Sequence, residues 1–346
     1  MIVSVQYLRG IAALMVVYAH VSTQVIRYSG VDLPLYKFGH FGVDVFFVIS
    51  GFIMWQTTFN KKLTPWTFFY RRLTRIAPTY WLFTSIVVFV AVFAPNALTS
   101  TRFESSHVLT SYLFIPHQHP VLTEYYFPVL IVGWTLNYEM FFYLVFSLSL
   151  NVAQYMRMAA IVGAFGCIAL CGALFHLTGI ARFYTNSIIL EFSFGVIVGY
   201  VITHRQFLSP MQAMVISVVI FVAAKYFEYP RLLAFGLPAL FLVYALTSYE
   251  KENGGFIKIR TLKLLGDASY SLYLTHALTI AVIAKGWAYS GWEWGTPQIA
   301  LFVGLAMLGS SLMGIAAYYC IEDPICSFFK VQYVTKKKSR FDNIKV

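Results

Sequence analysis

The stretch YLRGIAALMVVYAH, residues 7–20, decides what kind of chain this is. It is an apolar run of helix length with an arginine at its mouth and a histidine well inside. Similar runs recur outward from it, and Leu82 to Ala94 and Ala159 to Leu174 carry no charge at all. Hydrophobic residues make up 59% of the 346, charged residues only 11%, and the mean hydropathy is +0.70. A soluble chain needs about a quarter of its residues charged to cover its surface, so this composition belongs in lipid. The apolar runs approach ~20 residues, the length of a membrane helix, whereas barrel strands are ~10 residues of alternating polarity. The expected class is therefore all-α, a polytopic helical bundle. The opening run lacks a basic start and a small-residue cleavage site, so it is expected to be a permanent span and not a discarded leader.

Breaks at Pro, Gly and charge give about ten spans, roughly at 7–26, 41–58, 78–95, 129–150, 158–176, 184–203, 211–226, 231–249, 266–286 and 298–320. No internal repeat is evident. The expected organisation is one transmembrane domain over 1–325 and a basic cytoplasmic tail over 326–346. The connection from Asn96 to Pro128 is expected to lie on the outer surface. With the N-terminus in the cytoplasm, most of the 25 lysines and arginines fall inside. Only Arg27, Lys37, Arg102, Arg182, Lys225, Arg231 and Lys285 remain outside, as the positive-inside rule requires. The net charge of +11 is then topological, and nucleic acid is not an expected partner. Cys167, Cys171, Cys320 and Cys326 lie in or beside apolar segments without metal-type spacing, so they read as packing residues and no metal is expected.

Ionisable groups inside the spans carry the functional information, because each costs several kcal/mol unless paired or watered. Arg9 and His20 are separated by about 16 Å of helix rise and about three turns, so they share a face. Arg9 sits at the mouth and reads either as a ligand contact or as a snorkelling anchor. His20 lies past the midplane and reads either as a catalytic imidazole or as an interhelical hydrogen-bonding group. In GHFGVDVFFVISGF (39–52), Asp44 is inside the second span, and Gly39, Gly42 and Gly51 permit close backbone approach. Asp44 is expected to orient His20; the alternative is a carboxylate favoured by a helix N-terminus. FFYRRLTRIAPTYW (68–81) supplies Arg71, Arg72 and Arg75, the latter two on one helical face, as a fork for a polyphosphate or a plain positive-inside anchor. Glu139 in GWTLNYEMFFYLVF (133–146) is either catalytic or ion-paired to another helix. His276, closing SYSLYLTH (269–276), is a second catalytic group, a ligand-positioning donor or a satisfied core histidine. Glu322 and Asp323 in IEDPICSFF (321–329) are expected to pair with cytoplasmic arginines.

Taken in order, these motifs resemble the membrane-bound acyltransferase family 3. The resemblance rests on the Arg9/His20 pair with ten residues between, GVDVFFVISGF, RRLTRIAPTYW, GWTLNYEMFFY, SYSLYLTH and the closing IEDP, and it spans residues 1 to about 325. The opening VQYLRGIAALMVVYAH is most similar to the exopolysaccharide-production acetyltransferase branch. The resemblance implies ten core helices and transfer of an acyl group, usually acetyl from acetyl-CoA, to a hydroxyl of a glycan or glycolipid. It implies that Arg9 and His20 are required for activity, and that Arg72 and Arg75 form the arginine motif. One departure matters. Many members carry two acidic residues in tandem where this chain has Glu139 followed by Met140.

The expected mechanism has acetyl-CoA entering from the cytoplasm of a bacterial inner membrane. Its phosphates dock on Arg71, Arg72 and Arg75, with Arg9 at the mouth, and its thioester climbs to His20. His20 then acts as general base on the sugar hydroxyl or takes the acetyl covalently, with Asp44 or Glu139 as its partner. Asn137, Tyr138 and His276 are the candidates for an oxyanion donor. A proton-coupled transporter or flippase of an anionic metabolite uses the same residue types, but it commonly shows repeats and broken helices in two corresponding halves. A purely structural membrane subunit fits poorly with so many buried ionisable groups.

Overall fold

In the computed structural model, residues 2–34, 39–95, 101–224, 226–227 and 229–329 are described. The basic tail from residue 330, with its expected cytoplasmic placement, lies outside the described residues, as do Lys37 and Lys225. Helices dominate, and no strand occurs among the described residues. Seven segments are long and apolar enough to cross a membrane: Val3–Ser29, Phe41–Thr58, Pro65–Phe93, Ile131–Ser149, Gln154–Leu174, Leu232–Glu252 and Thr296–Phe329. Two shorter apolar helices, Ser187–Thr203 and Pro210–Ala223, and the more polar helix Ser269–Tyr289 occupy the other expected spans.

In chain order the α-helices are α1 (Val3–Ser29), α2 (Phe41–Thr58), α3 (Pro65–Phe93), α4 (Ser105–Tyr112), α5 (Trp134–Ser149), α6 (Gln154–Leu174) and α7 (Gly179–Tyr184). They continue as α8 (Leu190–Thr203), α9 (Pro210–Ala223), α10 (Leu237–Glu252), α11 (Arg260–Asp267), α12 (Ser269–Tyr289) and α13 (Thr296–Ala317). Helix α3 begins well before the expected 78 for a local reason. Thr64 caps it by accepting from the Thr67 backbone N–H, and Pro65 supplies the preset first turn. Hydropathy located only its apolar part, whereas the helix also carries the arginine motif.

Two helix starts are capped by carboxylates from elsewhere in the chain. Glu250, near the end of α10, accepts from the backbone N–H groups of Val3 (2.8 Å) and Ser4 (2.7 Å) at the start of α1. Glu322, in the π-turn after α13, accepts from the Ser271 N–H (3.2 Å) and hydroxyl (2.6 Å) at the start of α12. Glu322 therefore does not form the expected arginine pair. Neither Ile2 nor Ala268, at the cap positions of α1 and α12, offers a side chain for the unsatisfied N–H groups, and an acidic group there also meets the positive helix end.

The centre of the bundle is held by backbone contact. A Cβ on Gly42 would lie 2.3 Å from the Ala12 carbonyl oxygen, so α1 and α2 touch there. A Cβ on Gly195 would lie 1.9 Å from the Val48 carbonyl oxygen, which presses α2 onto α8. On the other side, α11 meets α1 at Gly266, whose Cβ would fall 2.0 Å from the Gln6 oxygen. Small residues let helices approach this closely without solvent driving them together.

Outside the spans, α4 and the following loop gather three histidines. His107 and His117 face each other Nδ1 to Nδ1 at 3.4 Å, and the His107 and His119 rings meet edge to face at 5.2 Å. His119 Nδ1 accepts from the backbone N–H groups of Val121 and Leu122. Burial, helped by His119 and His117 and opposed by Glu104, pushes the His107 pKa down to about 4. An unfolded histidine titrates near ~6.5, so the unfolded chain takes the proton first. The stabilising contribution is complete above that value and is lost as pH falls toward about 4. The thermal unfolding midpoint is expected to drop across this window, and His107→Gln is expected to flatten part of the drop. An unchanged slope in the variant would remove His107 from the effect.

Candidate active site

One cavity of about 580 Å³ opens between α1, α2, α3, α5 and α12. One end is cationic, with Arg9 from α1, Lys61 from the α2–α3 loop, and Arg72 and Arg75 from α3 in its wall. The other end is mostly apolar and is bounded by Val43, Phe46, Phe47, Leu136 and Tyr273, with the Thr135 hydroxyl beside them.

The arginines divide by helical geometry. Arg72 and Arg75, three residues apart, both face the cavity, whereas Arg71 is exposed and outside its wall. Arg72 Nη2 lies 3.4 Å from the Thr57 hydroxyl, its guanidinium carbon sits 5.6 Å from the Phe68 ring centre, and its Nε is buried without a partner. Arg9 Nη1 lies 3.4 Å from Gln6 Oε1. These long contacts leave hydrogen-bonding capacity directed at whatever fills the space. Glu139 lines the same cavity and accepts from the hydroxyls of Ser50 (2.8 Å) and Tyr143. The ion pairs found among the described residues are Asp44–Arg231 and Lys263–Asp267, so Glu139 takes hydroxyl donors in place of a basic partner.

The histidines of α1 and α12 meet. The His20 and His276 rings stand edge to face with centres 4.8 Å apart. His20 Nδ1 lies 3.0 Å from the Val16 carbonyl oxygen, one turn back on its own helix, and His276 Nδ1 lies 3.3 Å from that of Leu272. A carbonyl only accepts, so each contact places the ring hydrogen on Nδ1 and leaves Nε2 with a lone pair. His276 Nε2 is buried and unpartnered.

The histidine pair does not line the cavity. Tyr273 forms part of the cavity wall, its ring centre is 5.7 Å from that of His276, and Phe46 packs on Tyr273 at 6.1 Å. The expected open path from the arginines to His20 is thus interrupted by an aromatic layer. Tyr273 is pinned there because its hydroxyl reaches the Val132 carbonyl oxygen (2.9 Å) and the Thr135 hydroxyl (2.8 Å).

Asp44 also departs from expectation. Its carboxylate is held by Arg231, with Nε at 3.1 Å and Nη2 at 2.8 Å, and it does not orient His20. The fork of a guanidinium satisfies both carboxylate oxygens at once, which a single imidazole N–H does not. Completely buried Glu191, which hydropathy reading passed over inside an apolar run, lies beside this pair. Tyr138 donates its hydroxyl to the Phe183 carbonyl oxygen at 2.7 Å and stacks on the Phe183 ring, so it has no hydrogen left for an oxyanion. Asn137 is buried with both amide atoms unpartnered. Among the described residues, no group of three His, Cys, Asp or Glu side chains is arranged to hold a metal ion.

Comparison with known proteins returns a match to the family model described as "Acyltransferase domain" over residues 2–316. The chain is 35% identical to the exopolysaccharide production protein ExoZ of Rhizobium meliloti (strain 1021), over 87% of this chain and 93% of that protein. It is 22% identical to the O-acetyltransferase OatA of Staphylococcus aureus (strain MRSA252), over 88% of this chain and 55% of that protein. It is 25% identical to the putative peptidoglycan O-acetyltransferase YrhL of Bacillus subtilis (strain 168), over 83% of this chain and 50% of that protein. The chain thus spans about half the length of these last two relatives. No solved structure matches it.

Proposed function

The chain belongs to acyltransferase family 3, and from that premise we propose that it is a membrane-embedded O-acyltransferase moving acetyl from acetyl-CoA to a hydroxyl of an exopolysaccharide or lipid-linked glycan. Ten helices cross a bacterial cytoplasmic membrane, and both chain ends and the cationic end of the cavity face the cytoplasm. The excess of basic residues on that side supports this orientation.

The observation that carries the reading is the polarity of a single cavity. It is cationic at one end, apolar at the other, and ends on a tyrosine ring that touches a histidine pair. An acyl-CoA has the same order of parts: a polyphosphate, a long arm and an uncharged acyl thioester. Arg9, Arg72 and Arg75 hold phosphate oxygens, and the arm lies along Phe46 and Phe47. Displacement of the Tyr273 ring admits the thioester carbon to the layer of His20.

There, His20 Nε2 accepts the proton of the acceptor hydroxyl as the hydroxyl oxygen attacks the thioester carbon. The carbon–sulfur bond breaks, and the departing CoA sulfur takes the proton from the imidazolium. His276 packs edge-on against the ring and fixes its plane. Asn137, with its amide N–H groups unpartnered, is the proposed donor to the oxyanion. Glu139 acts as the fixed counter-charge among the guanidiniums.

Membranes containing the protein, incubated with radiolabelled acetyl-CoA, are expected to place label on polysaccharide. Arg72→Gln with Arg75→Gln is expected to raise the KM for acetyl-CoA about tenfold or more, the loss of two charge-assisted contacts. Substrate flux across the membrane with no transfer of label points instead to a transporter.

A further inference from the structure

A second cavity, of about 550 Å³, adjoins the cationic end of the first, and Lys61 borders both. Its walls come from the α2–α3 loop and the first turn of α6. Lys61 and Lys62 contribute from the loop, and Arg157 from the helix. No acidic residue lines it.

The site is built. Asn60 N–H donates to Gln154 Oε1 at 3.2 Å, and Gln154 Nε2 donates to Asn60 Oδ1 at 3.1 Å, so the loop is fastened to the first residue of α6. Asn60 takes a left-handed φ of 55°, which turns the chain back toward the helix. Arg157 is only 7% exposed, and its Nε is buried with no hydrogen-bond partner. The start of α6 has no side-chain cap and no acidic residue in its first turn. A helix start without a side-chain cap, a buried guanidinium with an unpartnered Nε and two ammonium groups all ask for an anion.

We propose that this second cavity seats the 3′-phosphate of the donor's nucleotide, with Arg157 and Lys62 as its ligands. The inference rests on the acyl-CoA assignment made above. It divides the coenzyme between two compartments: the diphosphate at Arg9, Arg72 and Arg75, and the ribose phosphate across the Lys61 partition. The same chemistry disfavours, by about tenfold, donors whose nucleotide lacks that phosphate.

The test is equilibrium binding of CoA and of 3′-dephospho-CoA to the full chain in detergent. The unmodified protein is expected to bind CoA about tenfold more tightly. Arg157→Gln and the exposed Lys62→Gln are each expected to weaken CoA binding and to leave 3′-dephospho-CoA binding unchanged, and the double variant to bind both alike. Normal 3′-dephospho-CoA binding by a variant also reports that it is folded. Equal weakening of both ligands by either variant, or no preference in the unmodified protein, overturns the assignment of the phosphate. Failure of the unmodified protein to bind either ligand overturns the acyl-CoA donor itself, and this inference with it.

Discussion

Replacing His20 with alanine is expected to lower acetyl transfer by about 10²–10⁴-fold, the usual contribution of a positioned general base. The KM for acetyl-CoA should change little, because His20 lies beyond the aromatic layer at the far end of the cavity from the guanidiniums. That separation of effects distinguishes a chemical role from a packing role. His20 is held within the bundle against His276, so an alanine that merely loosened the packing would weaken donor binding as well. The measurement is the rate of label transfer to polysaccharide together with the affinity for CoA in the same preparation. Full activity in a folded His20→Ala protein rejects the assignment.

The second large effect is structural. Asp44→Ala or Arg231→Ala is expected to destabilise the protein by about 2 kcal/mol, read as a fall in the thermal unfolding midpoint. Breaking a fully buried ion pair costs more, about 3–5 kcal/mol, but the Arg231 side chain is 38% exposed and partly screened. Losing Arg231 leaves Asp44 and Glu191 together without their cation. The double variant is expected to cost little more than either single change, the signature of one shared interaction. Additive losses, or a rate defect in Asp44→Ala that Arg231→Ala lacks, would return Asp44 to His20.

The helical character of the chain was legible because lipid imposes long apolar runs, and the arginine fork was legible because a three-residue spacing puts Arg72 and Arg75 on one face. Arg71 shows the limit of that reading: it belongs to the same motif, yet the helix turns it out of the cavity. Asp44 shows another. Its partner Arg231 lies far along the chain, and no local pattern couples them. Glu191 was hidden because a single acid inside an apolar run looks like a tolerated exception until its neighbours in space are known. Glu250 and Glu322 cap helices they do not belong to, a choice dictated by which backbone N–H groups lack a local acceptor. The aromatic closure by Tyr273 was invisible for the same reason, since side-chain packing between α2 and α12 leaves no trace in spacing.

The glycine contacts have a mechanical consequence. Helices α11, α1, α2 and α8 touch backbone to backbone in succession at these glycines, so each crossing is stiff at the point of contact. The opposite wall is different: α3 and α5 meet through stacked rings such as Phe68 on Phe146. Rings can slide and swing where carbonyl-to-glycine contacts cannot yield. The displacement of Tyr273 proposed above therefore asks a ring packed on Phe46 to move, while the glycine crossings go on holding α1 against α2.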